Sequence, residues 1–411
     1  KAGNKIMKPI VRAGRMKPVH SDIRGPLFVE AMKRQKQGID ILKLNTGNPA
    51  TFGFGLPDSI KNALMEHMQD GVGYCDFKGM PQARQAICDY ETSKGIKGIT
   101  PDDVFIGNGV SEVVSFALTP LLNDGDEVLV PSPSYSLWGN SVYLEDGKPV
   151  FYTCDEQANW YPDIQDIRSK ITDKTKAIVI INPNNPTGVL YPKELLLEII
   201  QIARESGLLI FADEIYDRLV MDGKQHISLA SLTEDVPVIT LNGLSKSHCL
   251  CGYRCGWMII SGPRELTEDY RQGIIQLTSL RLCANTMAQI VIPAALDDME
   301  TPASMVRPGG RIYEQREATV RELEKIDGLS FVKNDAAFYV FPKLDVKKFN
   351  ITNDKQFAHD LLDVTNILLV PGSGFDWKDP DHFRIVMLPQ ADILSDAIRR
   401  MGTFLDGYKQ K

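Results

Sequence analysis

The sequence predicts an α/β fold: a large domain with a mostly parallel central sheet, plus a smaller α/β domain. Three observations carry this prediction. Short β-rich runs alternate with helical stretches from about residue 104 onward. Polar and glycine-bearing residues collect where those runs end, as at ligand-binding crevices of open α/β sheets. A second, shorter alternation follows a helical stretch beyond residue 300.

Taken in order, Lys1–His20 is basic and lacks acidic residues, and reads as an N-terminal arm. Position 1 is not Met, which leaves a start further upstream open. Val104–Ile106 leads through Gly107-Asn108-Gly109 into helical Ser111–Leu122. Glu127–Val130 runs into Pro131-Ser132-Pro133, and Val150–Thr153 is the next strand. Ala177–Ile181 ends at Asn182-Pro183; helical Lys193–Glu205 follows; Leu208–Ala212 ends at Asp213. Val238–Leu241 ends at Asn242-Gly243, and Arg254–Ile260 is a further strand. Arg264–Leu296 has helical character. Beyond Met305, the strands expected are Ala337–Phe341, Ile367–Val370 and Phe383–Val386. The expected division is 1–48 as arm and part of the small domain, 49–300 as the large domain and 301–411 as the small one.

Composition narrows the function. A net charge of -7 argues against a nucleic-acid binder, and no apolar run approaches a membrane span. Seven scattered cysteines, an odd number, suggest reduced thiols and a cytoplasmic setting. Cys249, Cys251 and Cys255 cluster, but no CxxC pair or His group completes a metal site, so no metal is expected.

Four strand ends carry the chemistry. Lys246 lies just past a strand in Ser245-Lys246-Ser247, a poor structural choice but a good one for an amine that attacks an aldehyde. Arg254, eight residues on, suits a phosphate through paired hydrogen bonds. Asp213 directly follows an apolar strand, and a carboxylate buried there needs a cation or donor; alternatively it caps a following helix. Tyr216 is placed to reach the same partner. Asn185 sits in the turn Asn182-Pro183-Asn184-Asn185-Pro186-Thr187-Gly188 with an amide free to donate. Gly109-Val110-Ser111 opens a helix with free N–H groups, suited to a phosphate. Each taken alone is also explained as an ordinary turn, cap or surface charge.

Together these segments resemble the class I/II aminotransferases of pyridoxal-phosphate fold type I. The likeness rests on Ser245-Lys246-Ser247 with Gly252-Tyr253-Arg254-Cys255-Gly256-Trp257, on Asn185-Pro186-Thr187-Gly188 and on Ala212-Asp213-Glu214-Ile215-Tyr216, in family order and spacing. Within that family the chain is most similar to bacterial alanine (glutamate–pyruvate) aminotransferases, through Asp22-Ile23-Arg24-Gly25-Pro26, Leu44-Asn45-Thr46-Gly47-Asn48-Pro49, Gly73-Tyr74-Cys75-Asp76 and Phe383-Arg384-Ile385-Val386-Met387-Leu388-Pro389.

The resemblance implies that Lys246 holds pyridoxal 5'-phosphate as a Schiff base, that Asp213 pairs with its ring nitrogen, and that Tyr216 and Asn185 contact its ring hydroxyl. It further implies that Tyr135 stacks on the ring, and that Gly109, Val110, Ser111, Ser245 and Arg254 hold the phosphate. Arg384, Gly47 and Asn185 would bind the substrate's α-carboxylate end. Tyr74 would reach the neighbouring subunit's phosphate, which implies a homodimer. Arg24 and Arg281 would each either meet a distal carboxylate or pair with a local acid. The departures are Gly243 where the family often has Ser, Ser21 where the alanine-type enzymes have Tyr, Ser247-His248-Cys249 where they have Thr-Tyr-Arg, and Gln390 where they have Arg.

The implied reaction is a ping-pong transamination between small amino acids and 2-oxo acids, alanine or glutamate with pyruvate or 2-oxoglutarate first. The cationic, desolvated site is expected to depress the pKa of Lys246. Rival readings are transfer from other aliphatic or aromatic amino acids, a pyridoxal-phosphate β-lyase, and an aminotransferase-like ligand-sensing regulator. The regulator would need a helix-turn-helix ahead of the fold, and the residues before Gly47 show none.

Overall fold

The strands of the computed structural model, which describes residues 7–411, are β1 (Leu42–Lys43), β2 (Val104–Asn108), β3 (Glu127–Ser132), β4 (Lys148–Asp155), β5 (Tyr161–Pro162), β6 (Thr175–Ile181), β7 (Leu209–Asp213), β8 (Val238–Gly243) and β9 (Cys255–Ser261). Six short ones follow: β10 (Leu329–Ser330), β11 (Tyr339–Val340), β12 (Lys343–Leu344), β13 (Ile367–Leu368), β14 (Val370–Pro371) and β15 (Phe383–Val386). The first six residues of the expected arm lie outside the described residues.

An eight-stranded sheet runs β2-β9-β8-β7-β6-β3-β4-β5. β8, β7, β6, β3 and β4 are mutually parallel, while β9 runs antiparallel between β2 and β8. The parallel strands are near-continuous apolar runs because both faces are covered. Ile178, Ile180 and Ile210 join one layer, and Val179, Phe211 and Ile239 the other. The smaller sheets hold β11-β15-β14 and β10-β12. β1 pairs in parallel with β13, so the N-terminal segment is tied to the C-terminal region.

This topology brings the chemistry to one edge. The carboxyl ends of β2, β3, β6, β7 and β8 deliver Gly109, Tyr135, Asn185, Asp213 and Lys246 there. β9 runs the other way, so its start, not its end, lies at that edge, and Arg254 precedes it. Arg254 is therefore outside the strand expected at Arg254–Ile260, in a left-handed conformation with φ 53°. Gly256 on β9 has no room for a side chain: a Cβ would lie 2.5 Å from the Val110 nitrogen. Its absence lets the strand approach the helix N-terminus at Val110.

Three expected elements differ in form. The helical run Arg264–Leu296 is broken into Arg264–Arg281, Thr286–Gln289 and Ile292–Asp297. Leu282 takes φ 81°, and the Asn285 side chain accepts from the Met287 N–H, starting a new helix. Ala337–Phe341 pairs only over Tyr339–Val340, because Ala337 is left-handed at φ 57°. Ile367–Val370 splits between two partners, β1 and β15. Among the described residues no single helix is long and apolar enough to cross a membrane.

Gly243 also has a steric account. It faces Gly256 across β8 and β9, and a Cβ there would lie 2.5 Å from the Cys255 carbonyl oxygen. Gly243→Ser should therefore destabilise the chain by about 1–3 kcal/mol through overpacking rather than add a phosphate donor. Urea denaturation measures this, and an unchanged midpoint would contradict it.

Candidate active site

A cavity of about 500 Å³ opens at this edge, lined by Gly47, Val110, Ser111, Tyr135, Asn185, Asp213, Tyr216, Ser245, Lys246, Arg254 and Arg384 from the expected set, and by Arg24. Gly109 adjoins it: a side chain there would run into the Arg254 guanidinium. Its φ of 82° is left-handed, which glycine tolerates. Arg254 Nη2 donates to Ser111 Oγ at 3.4 Å, and Nη1 to the Cys251 carbonyl at 2.8 Å. The helix Val110–Leu118 starts beside them, and its first N–H groups have no intrahelical acceptor. Donors from three segments thus converge on a site for a dianion.

Asp213 closes the other side. Its residue is 6% exposed, and among the described residues its donors are only Trp138 Nε1 (3.0 Å) and the Ile215 N–H (3.4 Å). No helix follows for it to cap, since residues 215–218 form a turn. Burial without a cation pushes its pKa up to about 6, against the pull of Trp138. Trp138 is thus a polar partner of this carboxylate.

Lys246 is half-buried, its Nζ 2.8 Å from the Gly47 carbonyl and 3.8 Å from Cys251 Sγ. The pKa depression expected for it is not what the structure gives. Burial lowers the value, but Tyr339, Cys251 and Tyr135 outweigh burial and Arg384, so the net direction is up. Tyr216 and Tyr339 share a hydroxyl hydrogen bond of 2.8 Å, and the Tyr339 hydroxyl occupies the space a side chain at Gly47 would need.

Arg384 is 1% exposed and lies between the rings of Tyr339 (4.5 Å) and Phe375 (4.7 Å). Nη1 donates to Asn185 Oδ1 at 2.9 Å, Nη2 to the Asn45 carbonyl, and Nε has no partner. No carboxylate among the described residues neutralises it, and its pKa is lowered by burial. A buried cation with a free N–H in a cavity wall is built for an external anion.

Arg281 and Tyr74 do not line this cavity. Arg281 pairs with Glu112 at 3.2 Å and covers Phe116, the local-acid arrangement. Tyr74 is 82% exposed. Among the described residues no His/Cys/Asp/Glu group could hold a metal ion.

Comparison with known proteins decides the family. The model of the family "Aminotransferase class I and II" matches residues 39–398. This chain belongs to that family. It is 50% identical to the glutamate-pyruvate aminotransferase AlaA of Haemophilus influenzae, over 98% of this chain and 100% of that protein. A crystal structure of an Escherichia coli aminotransferase matches with a TM-score of 0.97 at 47% identity, over 98% of this chain and 100% of that one. The Pyrococcus furiosus alanine aminotransferase matches with a TM-score of 0.91 at 41% identity, over 96% and 100%. The chain is an aminotransferase of fold type I that works with pyridoxal phosphate. The cavity fits that cofactor: an uncompensated buried carboxylate for a protonated ring nitrogen, an amine for the aldehyde, and a cradle of donors for the phosphate.

The Asp213 charge has a measurable cost. Its folded pKa, about 6, lies above its ordinary value of 3.8, so the folded chain holds the extra proton and loses stability as pH rises through that window. Asp213→Asn should stabilise the cofactor-free chain at pH 7.5 by up to roughly 3 kcal/mol. The gain should shrink at pH 5. Urea titrations at the two pH values test this, and an equal gain at both would rule out burial as the cause.

Proposed function

We propose that the chain transfers the amino group between alanine or glutamate and pyruvate or 2-oxoglutarate. One observation carries this: Arg384, a buried guanidinium with an unpartnered Nε, faces the same cavity as Lys246 and Asp213. That combination suits a small amino acid held by its α-carboxylate. The names of the relatives, glutamate-pyruvate and alanine aminotransferases, favour these substrates over other aliphatic or aromatic amino acids.

The residues divide the work. Arg384 and the Asn185 amide orient the carboxylate, and the rings of Tyr339 and Phe375 keep the guanidinium in plane and water away from it. Lys246 Nζ moves the proton on and off the substrate's Cα. Asp213 holds a proton on the ring nitrogen, with Trp138 keeping the carboxylate aimed. The Gly109–Ser111 turn, Ser245 and Arg254 anchor the phosphate, and Tyr135 backs the ring. Bound pyridoxal phosphate supplies the aldehyde that carries the amino group and the ring that takes up the Cα electrons.

The chain is further proposed to act as a cytoplasmic homodimer, with Tyr74 reaching the neighbouring site. Seven free thiols support the first part. The exposure of Tyr74 beside Val72 and Met68 supports the second. The small domain is proposed to comprise 301–411 with part of 1–48.

A panel of amino donors, read by the absorbance change of the bound cofactor, should show alanine and glutamate reacting fastest, and Lys246→Ala should abolish turnover. Pyruvate and ammonia released from a β-substituted amino acid without an oxo acid would instead indicate a lyase. Arg384→Ala should raise KM for the donor about a hundredfold, as expected for losing one buried charge contact. An unchanged KM would remove Arg384 from the carboxylate site.

A further inference from the structure

The wall of the cavity includes a stretch of chain with little to hold it there. His20, Ser21, Ile23 and Arg24 all line the cavity, yet the short turns Gly14–Met16 and Asp22–Arg24 contain no buried residue. Ile23 packs against the core, and its carbonyl accepts from Asn45 Nδ2 at 2.9 Å. Ser21, a small hydroxyl, adds no ring to anchor the segment.

His20 supplies the hold instead. Its backbone N–H donates to Asn140 Oδ1 at 3.2 Å, and its carbonyl accepts from Asn140 Nδ2 at 2.5 Å. Its imidazole reaches Asp22 through Nδ1 at 2.8 Å and Asp376 through Nε2 at 2.7 Å. Two ionised carboxylates only accept, so both ring nitrogens donate and the ring is an imidazolium. Both carboxylates are well shielded, at 14% and 15% side-chain exposure. Asp376 is itself fixed: its carbonyl accepts from Ser132 Oγ at 2.7 Å, and the neighbouring Phe375 carbonyl accepts from the Ser134 N–H at 3.0 Å. One side chain therefore ties the N-terminal segment to the turn Gly372–Phe375 and, through it, to the loop that carries Tyr135.

We propose that His20 is a positioning residue for substrate selection, its imidazole stapling the N-terminal segment across the cavity so that Ser21, Ile23 and Arg24 form a fixed wall for the substrate's side chain. This rests on the transamination proposed above. The charged and titratable groups facing the imidazole are Asp22 and Asp376, with Lys355 paired to Asp22 at 3.4 Å and Tyr143 within the field of Asp376. The hydrogen bonds to Asp22 and then Asp376 hold the His20 pKa up at about 10. The staple is thus complete through neutral pH and is lost as pH rises through about 10.

The test uses the cofactor-loaded enzyme and the variants His20→Gln and His20→Arg. His20→Gln should raise KM for the dicarboxylic substrates roughly tenfold while kcat stays within about twofold. It should also speed tryptic cleavage after Arg15 and Arg24. His20→Arg, a cation with several donors, should restore both. The wild type should show an added rise in KM towards pH 10 that His20→Arg lacks. Wild-type KM and cleavage in His20→Gln, or a loss of kcat that His20→Arg does not repair, would overturn the proposal. If the wild type turned over neither alanine nor glutamate, the substrate assignment would fail, and the cleavage comparison would still decide the staple.

Discussion

The site depends on a carboxylate that the fold buries without a cation of its own. Asp213 ends a fully buried strand, and its only donors among the described residues are an indole and one backbone N–H. Leaving water is costly for an ionised carboxylate, and these two neutral donors offset it only in part. The free chain answers by holding a proton on it more tightly. A protonated ring nitrogen would remove that cost, so the proposed binding and catalytic roles would draw on the same deficit. Strain of this kind is tolerable because the surrounding sheet supplies a large, well-packed core.

Arg384 carries the opposite deficit within the same cavity. It is a cation between two aromatic rings, with one N–H left unpaired. It arrives on β15 from the C-terminal part of the chain, whereas Asp213 and Lys246 arrive from the large sheet. Parts of the chain far apart in sequence must therefore come together before both charges line one cavity. The Tyr216–Tyr339 hydrogen bond joins the same two parts. The His20 staple adds a third segment to this convergence, using charge where apolar contact is scarce.

Much of this was legible in the chain. The strand ends bearing Gly109, Asn185, Asp213 and Lys246 stood out because apolar runs stop abruptly at residues of chemical use. Phe383–Val386 was expected over the residues it occupies, since its four buried residues leave no ambiguity of pattern. Ala337–Phe341 shrank because one left-handed residue, Ala337, interrupts pairing, and an alanine gives no hint of that. The polar roles of Trp138 and Tyr339 were not legible, because an aromatic ring in an apolar stretch looks the same whether or not its polar atom has a partner. The direction of the Lys246 shift was misjudged because it depends on which phenols and thiols lie near it, which no local pattern encodes.

By itself, then, the chain determined the alternation of strands and helices, the strand ends where polar residues gather and which residues stand there, because periodicity and turn chemistry are local and additive. Only the tertiary structure decided which donor meets Asp213, that Arg254 enters from the start of an antiparallel strand, that Arg281 turns to Glu112, and that His20 bridges two aspartates. Those are contacts between residues up to 356 positions apart, set by packing and desolvation that exist only once the sheets and helices have come together.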